Sequence, residues 1–294
     1  MHFFNQLKYN IHQLLLLARV HSPSGFLLLF LPCSFTGALY SKNMDELFFV
    51  LAITFSCSFI IRSVGCIIND IIDRSLDAKV ARTKNRPLAS GALKLSWALV
   101  FLAGLLLIQL YIILYLPVKS IIASFIIFPF IILYPALKRF TYLPQIFLGF
   151  VFNFGVIVTY YMMDFNLPLS AILLYLGCIF WTVAYDTIYG FMDIKDDAKH
   201  NIKSFSLLIK DNNPKIIIGI LYSLFIGLVM AAAYLAIGEI NIASVLLWIA
   251  SCVNLIKQLS FNLESPSDCM KHFKSNIITG ALIFLALLSN NHDI

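Results

Sequence analysis

Residues 65–91 read GCIINDIIDRSLDAKVARTKNRPLASG, and they directly follow an apolar run at 47–68 that is long enough to cross a membrane. Three aspartates, an asparagine and a row of lysines and arginines are gathered at the end of this one span. Polar groups so close to hydrocarbon are costly and are usually functional. The stretch therefore marks both the class of protein and the place to look for its site.

The composition of the whole chain agrees with a membrane protein. Of its 294 residues, 60% are hydrophobic and 12% are charged, whereas soluble domains carry about 25% charged residues. Apolar runs of spanning length recur from end to end, so we predict an all-α membrane protein in which residues 1–294 form a single polytopic domain. Nine spans are expected, at about 23–40, 47–68, 95–115, 119–135, 143–161, 168–188, 215–237, 240–260 and 273–289.

The positive charges support this count of nine. Of the 21 lysines and arginines, only Lys42 and Lys119 fall on one side and Arg62 lies inside a span, so the other eighteen share the opposite side. This positive-inside pattern predicts a cytoplasmic N-terminus and an external C-terminus. The first residues resemble neither a signal peptide nor a transit peptide, and we expect them to lie at the membrane interface. The predicted location is the inner membrane of a bacterium, with the acidic stretch at its cytoplasmic face.

The net charge of +6 is concentrated on that one face. It suits anionic lipid headgroups or an anionic substrate, and it does not indicate nucleic-acid binding.

Aspartates form two clusters with helical spacing. Asp70, Asp73 and Asp77 stand at i, i+3 and i+7, with Asn69 on the same side. A second set lies 116 residues later, where Asp186, Tyr189, Asp193 and Asp197 share one helix face. Like charges at this spacing destabilise a helix unless something compensates them. Acidic residues in a loop without a function would not recur at the spacing of helix turns.

Both clusters close a span on the cationic side, so they can face each other across a bundle. Carboxylate oxygens are the ligands that Mg²⁺ prefers, and this ion commonly bridges to substrate phosphates. Basic residues beside the clusters could hold the remaining phosphate oxygens: Arg74, Lys79, Arg82, Lys84, Arg86, Lys138, Arg139, Lys195, Lys199 and Lys203. The residues alone thus predict a phosphate-bearing substrate and Mg²⁺ at a membrane surface.

Four motifs resemble those of the UbiA superfamily of intramembrane prenyltransferases. They are NDxxDxxxD at 69–77, RTxxRPLxSG at 82–91, YPxxKRxTxxPQ at 134–145 and YDTxYxxxDxxDD at 185–197. They occur in matching order over almost the whole chain. One departure is HSPSG at 21–25, where the family has D-[KR]-P-I-G.

The resemblance implies a helical bundle around a central cavity that opens laterally to lipid. It also implies that Mg²⁺ and an allylic diphosphate are held by the two aspartate motifs, with Asp70, Asp73, Asp77, Asp193 and Asp197 as metal ligands. Asp70, Asp73, Asp193, Asp197 and Arg139 are then the expected catalytic residues. Asn69, Arg62, Arg74, Lys138, Asp186 and Tyr189 are the expected substrate contacts.

The expected reaction is transfer of a polyprenyl group from its diphosphate to an aromatic ring. Gly65-Cys66 and the YDTxY form most closely resemble the branch of the family that prenylates 4-hydroxybenzoate for ubiquinone synthesis. A naphthoate, homogentisate or a haem vinyl group is the alternative acceptor. Arg62 has two candidate roles, as partner of the acceptor's carboxylate or as partner of an acid in the cluster below it.

Two other classes of membrane protein also use acidic residues in the membrane. A transporter would carry acids near the bilayer midplane and an inverted repeat, whereas both clusters here lie at the same surface. A phosphatidyl-transferring enzyme also uses aspartates and Mg²⁺, but the DGxxAR opening of that class is absent.

Overall fold

A computed structural model describes residues 2–80, 82–164, 166–199 and 201–291, and all of its regular elements in these ranges are helical. The helices are α1 (His2–Leu17), α2 (Ser24–Tyr40), α3 (Met44–Ile72), α4 (Arg74–Asp77), α5 (Leu95–Leu114), α6 (Val118–Leu137), α7 (Pro144–Asn153), α8 (Gly155–Met163), α9 (Leu169–Gly190), α10 (Ile194–Lys199), α11 (Phe205–Ile209), α12 (Pro214–Ile237), α13 (Ile242–Gln258) and α14 (Pro266–Asn290). A 3₁₀ turn at Phe191–Asp193 joins α9 to α10. The predicted all-helical class is confirmed.

Helices occupy all nine predicted places. Seven helical segments of the described chain are long and apolar enough to cross a membrane, and one of these runs from Pro144 to Met163 across α7 and α8. The other two places hold the shorter apolar helices α2 and α13, each of 17 residues. By length and composition, seven segments of the described chain qualify as membrane spans. The count of nine spans stays a prediction.

The helices form a closed ring. Apart from α7 and α8, which follow each other directly in the chain, each long apolar helix from α2 to α13 contacts the next long apolar helix, and α14 packs back against α2. α1 lies against α3 and α5 and contributes Leu17 to a small apolar cluster with Ile67 and Leu88.

The two halves of the ring are packed differently. The main core lies where α2, α9, α12, α13 and α14 meet, and Trp181 stacks there on Phe225 with ring centroids 4.9 Å apart. In contrast, only 11% of the most apolar stretch of α5 and 17% of that of α6 is buried, against 67% for α9. The half that contains α3, α5 and α6 instead surrounds a cavity.

Candidate active site

A cavity of about 700 Å³ opens between the charged loops that follow α3 and α9. Its membrane-embedded walls are apolar and come from α2, α3 and α5 to α8, with side chains such as Leu106, Phe128 and Val151. Its mouth is polar and includes members of both aspartate clusters. The cavity thus joins an ionic end to a long apolar interior.

The first cluster is buried and bound to arginines. Asp70 is 2% exposed, and its two carboxylate oxygens each accept a hydrogen bond of 2.9 Å from Arg19 Nη2. Arg86 Nη1 lies 3.1 Å from Asp70 Oδ1 and 2.7 Å from Asp77 Oδ2, so it bridges the two acids. The like-charge repulsion expected from the spacing is therefore offset by guanidinium groups.

Asp73 takes a different position from its neighbours. Its carboxylate is fully buried and does not line the cavity. It is bound by Lys138 Nζ, and Arg139 Nη2 lies 3.4 Å from Oδ1. Arg74 turns to the following loop, where its Nε donates to the carbonyl oxygen of Leu88 at 3.0 Å.

The second cluster closes the other side of the mouth. Arg82 donates from Nε and Nη2 to the two oxygens of Asp193, at 2.6 and 2.5 Å, and from Nη1 to the Tyr189 hydroxyl at 3.1 Å. Burial lowers the pKa of the Arg82 guanidinium, but Tyr189 and Asp193 outweigh this effect and raise it above its ordinary value. Arg82 is therefore a permanent cation, and it joins the loop after α3 to the end of α9.

The structure brings most of the predicted site residues to one cavity. Asn69, Asp70, Asp77, Arg62, Lys138, Asp186, Tyr189, Asp193 and Asp197 all line it. Asp73, Arg74 and Arg139 do not line the cavity. In this structure they can affect the site only by holding neighbouring residues in position. Their predicted contacts with substrate or metal stay predictions.

Arg62 lies in the cavity wall, farther from the mouth than the aspartates. Among the described residues, no carboxylate lies within 4.0 Å of the Arg62 guanidinium, so Arg62 forms no ion pair there. The residues near it include Tyr134, Tyr189 and Asp186. The nearby acid belongs to the second cluster, so pairing with the first cluster is not what the structure shows. Gly25 makes room for this side chain, because a Cβ atom there would lie 2.5 Å from Arg62 Nε.

The donors at the mouth decide whether a divalent metal fits there. Within the described ranges, no three acidic, histidine or cysteine side chains are gathered closely enough to hold a metal by themselves. The oxygen donors of Asn69, Asp70, Asp77, Asp193 and Asp197 nevertheless line one mouth, and this donor set suits Mg²⁺. Mg²⁺ usually keeps waters and shares substrate phosphate oxygens, so the residues fit an ion that arrives with a diphosphate.

Three contacts at this site were not foreseen. Arg19 adopts a left-handed backbone conformation with φ of 58° between α1 and α2, and its pairing with Asp70 is not indicated by any of the four motifs. Gln145 accepts a hydrogen bond of 2.8 Å from the backbone N–H of Phe205. The N–H of Lys203 donates to the carbonyl oxygen of Lys138 at 2.9 Å. These last two contacts fix the loop of the second cluster on the α6–α7 connection.

Comparison with known proteins identifies the family. Residues 30–288 match the UbiA prenyltransferase family. The 4-hydroxybenzoate octaprenyltransferase of Pseudoalteromonas translucida is 34% identical over 276 residues, which cover 92% of each chain. The mitochondrial 4-hydroxybenzoate polyprenyltransferase of Drosophila pseudoobscura pseudoobscura is also 34% identical, over 92% of this chain and 68% of the relative.

A solved structure has the same fold. The UbiA homolog from Archaeoglobus fulgidus, bound to GPP and Mg²⁺, superposes with a TM-score of 0.67 at 15% identity, over 94% of this chain and 99% of that one. The chain belongs to the UbiA prenyltransferase family.

Proposed function

We propose that this member of the UbiA prenyltransferase family transfers a polyprenyl group from polyprenyl diphosphate to 4-hydroxybenzoate, in ubiquinone synthesis. The new bond forms at the ring carbon ortho to the hydroxyl, and diphosphate is released. Residues 1–294 act as one catalytic domain in this proposal.

One observation carries the proposal: two aspartate clusters and their arginines surround the mouth of a cavity whose interior is apolar. A polyprenyl diphosphate has the same division, with a highly charged head and a hydrocarbon tail. The named activities of the two relatives, and the GPP and Mg²⁺ bound by the archaeal homolog, support this match.

The charged residues would bind and orient the diphosphate. Mg²⁺ held by Asp70, Asp77, Asp193 and Asp197 would supply positive charge for the leaving diphosphate. Arg82 and Arg86 bind these carboxylates and line the cavity, so their guanidinium groups would be placed to donate to the phosphate oxygens as well. Lys138 lies at the mouth beside them. Asp73 would act by holding Lys138 and Arg139 in position.

The apolar walls would protect the reacting carbon. Departure of diphosphate leaves an allylic cation, which water would quench, so a dry interior favours transfer to the ring. Aromatic faces such as those of Tyr134 and Phe128 stabilise such a cation without reacting with it.

Arg62 is proposed as the partner of the acceptor's carboxylate. It is a cation on the cavity wall, and no described acid pairs with it. A guanidinium and a carboxylate match in charge and in bidentate geometry. The electron-rich ring of 4-hydroxybenzoate would then lie between Arg62 and the diphosphate, with a position ortho to the hydroxyl free to attack.

We also propose that the protein is an inner-membrane protein of a bacterium, with the cavity mouth in the cytoplasm. The cation-rich side of the chain and the bacterial relative support this location; the mitochondrial relative is the alternative setting. Reporter fusions in the loops at 74–94 and 201–213 should both report the cytoplasmic side. Reporters on opposite sides would contradict the proposal.

The activity can be tested on membranes that carry this protein. They are incubated with Mg²⁺, a polyprenyl diphosphate and a panel of labelled aromatic acids, and the products are identified by mass spectrometry. We expect ring-prenylated 4-hydroxybenzoate, and no product from benzoate, whose ring is too electron-poor to capture the cation. Preference for a naphthoate would overturn the acceptor assignment and leave the reaction class standing.

A further inference from the structure

The deep end of the cavity contains a polar side chain that the proposed reaction does not use. Gln109 lies in α5, a helix whose other side chains mostly face lipid, and it is 8% exposed. It lines the cavity, and its Oε1 atom has no hydrogen-bond partner. An unsatisfied buried acceptor is unusual in a folded protein and calls for an explanation.

Other polar side chains surround Gln109. Cys57 of α3 lies close to the Gln109 side chain. Cys33 of α2 lies near Cys57, Ser58 and Thr159 of α8, and its thiol donates to the carbonyl oxygen of Leu29 at 3.7 Å. The five polar residues line the same cavity, so four helices contribute to one polar cluster within an apolar wall.

This cluster lies far from the charged mouth. Cys57 and Asp70 belong to the same helix, so at about 1.5 Å of rise per residue they are about 20 Å apart. A geranyl tail has about eight carbons along its chain and spans at most about 12 Å at about 1.5 Å per bond. It cannot reach the cluster, whereas a geranylgeranyl tail, which is twice as long, can.

Hydrocarbon that reaches the cluster must cover Gln109 without giving its Oε1 atom a donor. The Oε1 atom is already shielded from water, so the cost falls on the parts of Gln109 and Cys57 that remain accessible from the cavity: they lose water and gain no partner, which opposes the favourable burial of the tail. Before that point, every added methylene contributes to binding.

We propose that Gln109 and its polar neighbours form an end stop, which limits how far the prenyl tail penetrates the cavity. Binding then strengthens with tail length only until the tail reaches the cluster. The rest of a longer tail leaves the cavity sideways into the lipid. This inference rests on the proposed function, because it takes the occupant to be a prenyl diphosphate.

The test measures dissociation constants of geranyl, farnesyl and geranylgeranyl diphosphate with the purified full-length protein and Mg²⁺. For the natural sequence we expect a clear gain in affinity from geranyl to farnesyl and almost none from farnesyl to geranylgeranyl. In Gln109→Leu, the affinity for geranylgeranyl diphosphate should rise about tenfold, which is about 1.4 kcal/mol. The affinity for geranyl diphosphate should not change.

Two substitutions on the same helix serve as controls. Leu106→Gln places an amide on the cavity wall one turn nearer the mouth. The gain in affinity from geranyl to farnesyl diphosphate should then be lost. Leu107→Gln makes the same chemical change on a side chain that is 66% exposed and outside the cavity lining, and it should leave the length dependence unchanged. Gln109→Met provides a second apolar variant if Gln109→Leu does not fold.

The outcomes separate this inference from the proposed function. Equal changes for all three tails in Gln109→Leu, or no change for any of them, would overturn the end stop. Failure of the natural sequence to bind any prenyl diphosphate, or to form prenylated 4-hydroxybenzoate, would instead overturn the proposed function.

Discussion

The two aspartate clusters have the same charge and lie on the same side of the molecule, yet they are neutralised to different extents. In the first cluster, Asp70, Asp73 and Asp77 are all buried, and each is bound by at least one arginine or lysine. In the second, among the described residues, Asp193 alone makes an ion pair within 4.0 Å, to Arg82. The first cluster therefore joins distant parts of the chain, and Asp70 and Asp77 also line the site, whereas we expect the second cluster to be freer to bind a metal.

Removal of Mg²⁺ should have the largest effect, because in the proposed function both clusters hold the diphosphate through this ion. Without the ion, the carboxylates and the diphosphate repel each other across a partly dry site. Prenyl transfer measured in excess chelator should fall to background and should return when Mg²⁺ is added. Substantial turnover in chelator would give the acids another role.

Substitutions in the second cluster should impair catalysis and leave the fold intact. Asp197→Ala removes a carboxylate at the cavity mouth, and we expect turnover to fall about 10²–10³-fold, as for loss of one preorganised charged group. Its neighbour Asp196 does not line the cavity, so Asp196→Ala is the matched control and should stay near normal. Equal losses in the two variants would point to damage of the loop.

Substitution in the first cluster should cost stability as well as activity. Asp70→Ala leaves Arg19 and Arg86 without their shared partner. Breaking a buried pair costs about 3 kcal/mol, the low end of the usual range because both guanidinium groups reach solvent. Thermal unfolding in detergent should show a lower midpoint for Asp70→Ala than for Asp197→Ala. Equal unfolding midpoints for the two variants would show that the first cluster contributes no more to stability than the second.

The smallest predicted effect concerns the acceptor. If Arg62 binds the carboxylate of 4-hydroxybenzoate, Arg62→Ala should raise the KM for this acid more than the KM for the prenyl diphosphate. Steady-state kinetics with each substrate varied in turn gives both values. A larger rise for the prenyl diphosphate would place Arg62 with the aspartate clusters instead.

Much of this site can be predicted from the sequence, because helical spacing places Asp70 and Asp77, and also Asp193 and Asp197, toward one side. The spacing treats all three acids of the first cluster alike, yet helix α3 ends at Ile72 and Asp73 turns away from the cavity. Asp73 instead meets Lys138 and Arg139, which are more than sixty residues away in the chain. Such long-range partners depend on how the ring closes, and no local pattern encodes them.

Arg19 illustrates the same limit. It lies 51 residues before Asp70, at a turn rather than in a periodic segment, so only the packed structure reveals the pair. The span at 143–161 was predicted in the right place, but its division into α7 and α8 at Phe154 was not. Asn153 and Gly155 flank that break, and these two poor helix formers in an otherwise apolar run are its local sign in the sequence.

Binding of a substrate analogue tests the central claim most directly: that both aspartate clusters together hold a diphosphate through Mg²⁺. Geranyl thiolodiphosphate, which does not ionise readily, can be titrated into the purified protein with and without Mg²⁺. We expect saturable binding that requires Mg²⁺ and that weakens at least tenfold in both Asp77→Asn and Asp197→Asn, one variant from each cluster. Binding that persists without Mg²⁺, or that is unaffected by one of the two substitutions, would contradict the account.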